Sequence, residues 1–216
     1  MSRAHTLAQL ARELQARIDA LPAHIDPSWR VPAGLAGAGT GAGTTTDAAD
    51  LPLQVRGAFS HAWYAQHCGP LPALEHLEGG GARLALLDRN ALLAQLCALA
   101  LLGRPGVLRC CVQRSARTAL QQTLGPAYAP LRARDGGPAV PAEVASWPPI
   151  AWSWVGYREL VRAGAWPHRG LRRMVRLALP ASRASAPASR QVPRATAAAH
   201  ERLKTLETLF SRGIAC

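Results

Sequence analysis

Apolar residues recur at intervals of three or four along most of the chain. The first series is Leu7, Leu10, Leu14, Ile18 and Leu21. This spacing predicts an amphipathic helix over residues 5–21. The same pattern predicts further helices over residues 53–67, 89–102, 107–112, 116–124, 127–134, 154–163, 167–178 and 197–211. No alternation of apolar and polar residues exceeds four positions, so we expect an all-α, compact multi-helix domain built from short helices.

Polar residues and prolines mark where the predicted helices begin and end. The predicted N-caps are Asp88, Ser115, Ser153 and Thr196. Short polar side chains at such positions accept hydrogen bonds from the backbone N–H groups of the first turn. Pro167 suits the first position of the helix that it begins. The glycines of residues 78–81 predict a loop, and the spaced prolines of residues 138–151 predict an irregular segment.

Two segments of low complexity divide the sequence. Residues 32–50 are rich in glycine, threonine and alanine and predict a flexible linker. A second segment, rich in proline, alanine, serine and arginine, precedes the last predicted helix. We therefore expect an N-terminal helix with its linker at 1–50, a helical domain at 51–180, and a linker with a C-terminal helix at 181–216.

Arginine dominates the charge of the chain. The sequence contains 24 arginines, one lysine and 13 acidic residues, which gives a net charge of +12. Residues 151–194 carry nine arginines and one acid, Glu159. This uneven distribution indicates an acidic partner, which is nucleic acid, anionic lipid or an acidic protein surface. The alternative interpretation is a solvated arginine face without a partner.

The sequence lacks several motifs of catalytic and binding sites. Lys204 is the single lysine and does not follow the glycines of a phosphate-binding loop. The glycine run at 37–43 has no hydrophobic strand before it, which argues against a nucleotide site. The five cysteines include no CxxC pair, and no group of ligands has the spacing of a metal site. We expect no enzymatic activity, no cofactor and no metal.

The sequence also predicts a cytoplasmic protein. The longest mostly apolar segment, residues 91–102, has 12 residues, whereas a transmembrane helix needs about 20. Charged residues interrupt the N-terminal apolar series, so we recognise no secretion signal. An odd number of cysteines without a disulfide framework is consistent with free thiols.

The predicted helix 167–178 is the clearest candidate for a binding surface. Four arginines fall within an arc of about 100° on a helical projection, and these are Arg169, Arg172, Arg173 and Arg176. The opposite side carries Leu171, Met174, Val175 and Ala178. Guanidinium groups pair well with carboxylates and phosphates. We expect a helix anchored in the core that presents a row of guanidinium groups to an acidic partner.

Aromatic residues are concentrated near this helix. Four of the six tryptophans are Trp147, Trp152, Trp154 and Trp166. Tryptophan and arginine are typical of interface hot spots, and tryptophan also stacks on unpaired bases. Trp152, Trp154 and Arg158 are therefore candidates for partner contacts. The alternative is that the tryptophans fill the core of this region.

The segment 82–134 carries a series of motifs that resembles a known family. It contains an LLDR helix start, an alanine- and leucine-rich helix, an LRCC turn and an RTALQQTLGPAY helix. Gly156, Tyr157 and Arg158 follow on a later helix, and RLALP ends another at 176–180. This pattern resembles the SctK family of bacterial type III secretion systems, also called the YscK/PscK or OrgA/MxiK group.

The resemblance implies a function as well as a fold. Members of this family are cytoplasmic adaptors of the sorting platform, placed between the cytoplasmic domain of the inner-membrane ring protein and the spoke protein. Neither an enzymatic activity nor a cofactor is implied, and association with the membrane is only indirect, through the ring. The residues expected to contact these partners are Arg169, Arg172, Arg173, Arg176, Trp152, Trp154 and Arg158.

Two other functions are left open by the sequence. A small basic helical regulator would bind nucleic acid, although the helices expected at 107–124 show no polar recognition face. A peripheral membrane protein would lay the basic helix on anionic lipid. Binding to duplex DNA with a steep salt dependence separates the first function from the adaptor, and flotation with liposomes separates the second.

Overall fold

The computed structural model describes residues 3–29 and 53–211 of the 216-residue chain. Within these ranges the backbone forms helices, turns and loops and no β-strand, which confirms the all-α prediction. The linker predicted at 32–50 lies outside the described residues. The helices are α1 (Arg3–Asp19), α2 (Leu21–His24), α3 (Leu53–Cys68), α4 (Gly80–Leu86), α5 (Arg89–Leu102), α6 (Gly106–Cys110), α7 (Arg114–Leu124), α8 (Tyr128–Arg132), α9 (Ala142–Ala145), α10 (Pro149–Arg162), α11 (Arg169–Ala178) and α12 (Ala199–Ser211).

Helix α5 forms the centre of the molecule. Asp88 caps it, because the side chain accepts a hydrogen bond from Ala91 N at 2.9 Å. Both the predicted cap and the predicted range of this helix are therefore confirmed. Every side chain from Leu96 to Leu102 is buried, which is the pattern of a helix enclosed on all sides. Helices α7, α10 and α12 pack around it.

Helix α10 makes the closest approach to α5. A Cβ atom at Gly156 would lie 2.1 Å from Leu96 O, so only glycine permits this contact between backbones. Ser153 Oγ donates a hydrogen bond to Leu93 O at 2.8 Å across the same contact. The predicted N-cap at Ser153 is therefore wrong. Helix α10 begins earlier, at Pro149, and Ser153 lies inside the helix with its hydroxyl directed at α5.

The starts of α4, α7 and α12 also differ from the prediction. Helix α4 begins at Gly80, inside the segment predicted as a loop. Helix α7 begins before Ser115, and the residue that flanks its N-terminus is Gln113. Thr196 lies before α12, and both its hydroxyl and its backbone N–H bind Gly103 O, at 3.2 and 2.9 Å. Two hydrogen bonds to the end of α5 thus replace the single one that a cap would provide.

The N-terminal residues pack against the rest of the protein. Helix α1 lies against α3, and the chain after α2 contacts the end of α11. Asp26 N donates a hydrogen bond to Leu177 O at 2.9 Å, and Trp29 Nε1 donates one to Leu179 O at 2.8 Å. Asp26 also forms an ion pair with Arg89 at the start of α5. These contacts fix the C-terminal end of α11.

Candidate partner-binding surfaces

Helix α11 has a sharply divided surface. His168 caps the helix, because Nδ1 accepts a hydrogen bond from Gly170 N at 3.1 Å. The helix therefore begins at Arg169. The sequence predicted that it would begin two residues earlier, at Pro167. Its buried side consists of Gly170, Leu171, Met174, Val175, Leu177 and Ala178. The apolar side that the sequence predicted is the side that meets the core.

Arg169 and Arg172 are exposed on the opposite side of α11. Among the residues that the structure describes, neither has a carboxylate within 4.0 Å. Because the buried side anchors the helix, it presents these two arginines from a rigid base. We call Arg169 and Arg172 the α11 pair. It is a basic feature suited to an acidic surface.

Arg173 and Arg176 are half-buried and bound within the protein. Arg173 Nη1 donates a hydrogen bond to His67 O, at the end of α3, at 3.0 Å. Arg176 donates to three backbone carbonyls, Leu179 O, Pro180 O and Ala181 O, at 3.2, 2.7 and 2.9 Å. The expected row of four solvent-facing arginines is thus corrected to two. Carbonyl groups at the ends of α3 and α11 engage the other two guanidinium groups.

Arg176 also lies over two aromatic rings. Its guanidinium carbon is 4.7 Å from the ring centre of Trp29 and 4.4 Å from that of Trp154. This contact is favourable because the cation faces the negative face of each ring. Burial lowers the pKa of Arg176, but a guanidinium group remains charged in proteins. Arg176 therefore joins α11 to the N-terminal segment and to α10.

Trp152 and Trp154 belong to the core. They are 0% and 2% exposed, and neither indole N–H has an acceptor among the described residues. A buried ring cannot touch a partner unless the core opens, so direct contact through these two rings is not supported. Both tryptophans instead fill the core, which is the alternative that the sequence left open. Arg158 is half-buried, with its guanidinium carbon 5.8 Å from the ring centre of Trp154.

Glu159 lies between two buried arginines. Its Oε1 accepts a hydrogen bond from Arg104 Nη2 at 2.5 Å, and its Oε2 accepts one from Arg202 Nη1 at 2.7 Å. The side chains of Arg104 and Arg202 are 3% and 5% exposed, and that of Glu159 is 13% exposed. We call these three residues the Glu159 cluster. Its charge-assisted hydrogen bonds join the end of α5 to α10 and α12.

The described residues contain free thiols and no metal-ligand cluster. Cys68, Cys97, Cys110 and Cys111 form no disulfide, and burial raises the pKa of Cys68 to about 12. No three or more His, Cys, Asp or Glu side chains in the described ranges are grouped so that they could hold a metal ion. Of the helices described, none has the length and apolar character needed to cross a membrane.

A family model described as a bacterial type III secretion protein, HrpB4, matches residues 1–211. The match extends over nearly all of the 216 residues. The chain belongs to the HrpB4 family. Comparisons with curated proteins and with solved structures found no match. The resemblance to type III secretion proteins is thereby confirmed at the level of the secretion system.

The Glu159 cluster of this HrpB4-family chain was not recognised in the sequence. Arg104 and Arg202 lie outside the most basic segment, residues 151–194, and far from Glu159 in the chain. One signal was present, because Glu159 is the single acid in that segment. A lone acid among arginines indicates pairing, but the choice of partners depends on how α5, α10 and α12 pack.

Proposed function

We propose that this HrpB4-family protein is a non-enzymatic adaptor of a type III secretion sorting platform. It links the cytoplasmic domain of the inner-membrane ring protein to the spoke protein, on the cytoplasmic side of the membrane at the base of the apparatus. Two observations support this function: the family match over residues 1–211 and the resemblance of residues 82–134 to SctK proteins. Its association with the membrane is indirect, through the ring.

The α11 pair is the observation that carries the docking mechanism. Arg169 and Arg172 are exposed on a helix whose other side is buried. An acidic surface of the ring or spoke protein can meet them without rearrangement of that helix. Complementary charges of this kind steer association and set the register of the two surfaces.

An acidic protein suits α11 better than nucleic acid or lipid. Nucleic-acid binding draws on several phosphate contacts, yet α11 fully exposes just two arginines, Arg169 and Arg172. A helix that lies on a membrane inserts its apolar side into the lipid, yet the apolar side of α11 is buried in the protein. Two exposed guanidinium groups match a local group of carboxylates on a protein surface.

Co-purification of the ring and spoke proteins with the full chain tests the adaptor function. Arg169→Glu/Arg172→Glu reverses both charges at exposed positions, so we expect an intact fold and recovery of at least one partner reduced about tenfold. The matched control is Arg132→Glu/Arg134→Glu, which reverses two exposed charges at and beyond the end of α8. Equal recovery with both variants would remove the α11 pair from the mechanism. Failure of the unaltered chain to recover either partner would reject the adaptor function.

Duplex DNA and anionic liposomes test the two competing functions. Tight binding of the unaltered chain to duplex DNA, with an affinity that falls steeply as salt rises, would favour a nucleic-acid regulator. Flotation with anionic liposomes in the absence of the ring would favour direct binding to lipid. We expect neither result.

A further inference from the structure

A cleft lies between α10 and the segment that precedes α12. Its volume is about 360 Å³, within the range of pockets that hold small ligands. Its lining includes Val155, Arg158 and Arg162 of α10 and Ser189, Val192 and Arg194 of the facing segment. We call it the α10 cleft. Nothing in the adaptor mechanism described above uses it.

Hydrogen bonds hold two of its arginines in place. Arg158 Nη1 donates to Pro187 O, and Arg162 Nη2 donates to Ser189 Oγ at 3.3 Å. The guanidinium carbon of Arg158 also lies 5.8 Å from the ring centre of Trp154. A guanidinium group has five N–H donors, so both arginines keep donors for a ligand while their positions are restrained.

The charges that line the α10 cleft do not balance. Glu159 is the one carboxylate among its described lining residues, and both of its oxygens are bound in the Glu159 cluster. Within the described part of the chain, no carboxylate lies within 4.0 Å of Arg158, Arg162 or Arg194. Burial, together with the charge of Arg162, lowers the pKa of Arg158. An anion in the cleft would relieve this repulsion.

Apolar side chains lie beside these arginines. Val155, Val192 and Pro193 form part of the lining. A nucleic-acid backbone presents phosphates along an extended path, whereas this cleft has a volume of about 360 Å³. A short peptide that contains acidic and apolar residues offers both the carboxylates and the apolar surface that the cleft can bind.

We propose that the α10 cleft binds an acidic peptide segment of a partner protein. Carboxylates of that segment pair with Arg158, Arg162 and Arg194, while an adjacent apolar side chain packs on Val192 and Pro193, which are half-buried. This inference rests on the proposed adaptor function and adds a second docking point to the α11 pair. Apolar contact supplies affinity, and the charges select acidic segments.

Fluorescence anisotropy of a labelled peptide with the full chain, at low salt, tests the inference. The peptide alternates glutamate with leucine and glycine, and a matched peptide carries glutamine in place of glutamate. We expect Arg162→Glu/Arg194→Glu to weaken binding of the acidic peptide about tenfold. The control Arg132→Glu/Arg134→Glu should change it by about twofold at most. The glutamine peptide should bind about tenfold more weakly than the acidic one.

A milder variant guards against loss of the fold. Arg162 and Arg194 are exposed, and circular dichroism shows whether their reversal leaves the helices intact. If it does not, Arg162→Gln/Arg194→Gln replaces it, with an expected loss of about threefold. Three results would each overturn the inference: no binding of the acidic peptide to the unaltered chain, an equal loss in the control, or displacement of the peptide by duplex DNA that binds more tightly.

Co-purification with the ring and spoke proteins reports on the adaptor function separately. If the unaltered chain recovers both partners but the peptide experiment fails, the cleft alone is rejected. If the peptide binds as expected but neither partner is recovered, the adaptor function is rejected and the cleft remains a site for acidic peptides.

Discussion

The arginines of α11 and those of the Glu159 cluster lie in different surroundings. Arg176 is half-buried and binds three backbone carbonyls. Arg104 and Arg202 are almost fully buried and share one carboxylate. Withdrawing a charge from water costs several kcal/mol unless an opposite charge compensates it. The deeper arginines therefore need a carboxylate, whereas carbonyls and aromatic rings suffice near the surface.

This difference separates a binding surface from the scaffold that supports it. The α11 pair has no ion-pair partner among the described residues, so its charge is available to another protein. The charge of Glu159 is engaged by two arginines and holds three helices together. Substitutions in the cluster should lower stability, and substitutions in the α11 pair should lower binding.

The largest loss of stability is expected from Glu159→Gln. This substitution leaves two buried guanidinium groups without a counter-charge, so we expect the free energy of unfolding to fall by about 3–5 kcal/mol. Urea unfolding measures the loss. The control Glu143→Gln, at an exposed position of α9, should change it by less than about 0.5 kcal/mol. Equal stability of the two variants would contradict the role of the cluster.

A smaller loss of stability is expected on acidification, because His24 is buried beneath α11. The ring Nε2 of His24 lies 3.3 Å from Met174 O. Burial, and then the charge of Arg17, lowers the pKa of His24 to about 4. An unfolded histidine has a pKa near 6.5, so between these values the unfolded chain binds more protons. The contribution of His24 to stability is complete above about pH 6.5 and is lost as the pH falls toward 4.

Urea unfolding near neutral pH and at about pH 5 isolates this contribution. The unaltered chain should lose about 2 kcal/mol more on acidification than His24→Gln, which has no titrating ring. The Glu159→Gln variant should retain the same extra loss, because Glu159 is not among the groups that shift the pKa of His24. An identical loss in His24→Gln and the unaltered chain would show that His24 does not titrate as described.

The next largest loss of stability is expected from Arg176→Met, which keeps a long side chain but removes its charge. The loss of the hydrogen bonds to carbonyls and of the contacts with Trp29 and Trp154 should lower the free energy of unfolding by about 1–2 kcal/mol. Arg172→Met is the matched control on the same helix. A loss as large in that control would mean that α11 does not distinguish its inward from its outward arginines.

The smallest effect on stability is expected from Arg169→Ala/Arg172→Ala. Both positions are exposed, so thermal or urea unfolding should change by less than about 0.5 kcal/mol. Recovery of the ring or spoke protein in co-purification should nevertheless fall by about threefold or more. A marked loss of stability with unchanged recovery would reverse the comparison and assign the α11 pair to the scaffold.

Features with a local cause were predictable from the sequence. Asp88 caps α5 as expected, because the carboxylate and the N–H groups that it binds are only three residues apart. The apolar side of α11 was also correct, since the helical period alone assigns it. Ser153 has equally good capping chemistry, but its hydroxyl binds α5 instead. Its role depends on a helix distant in the sequence.

In the candidate site, too, some features follow from the sequence and others from the packing of distant helices. The sequence by itself determined which side of α11 is apolar, that the fold is helical and that tryptophans accompany the basic segment. Only the tertiary structure decided that Arg169 and Arg172 stay outside, that Trp152 and Trp154 lie in the core, and which arginines pair with Glu159. The physical reason is that helical period and capping act within one or two turns, whereas burial and ion pairing depend on which distant helices meet.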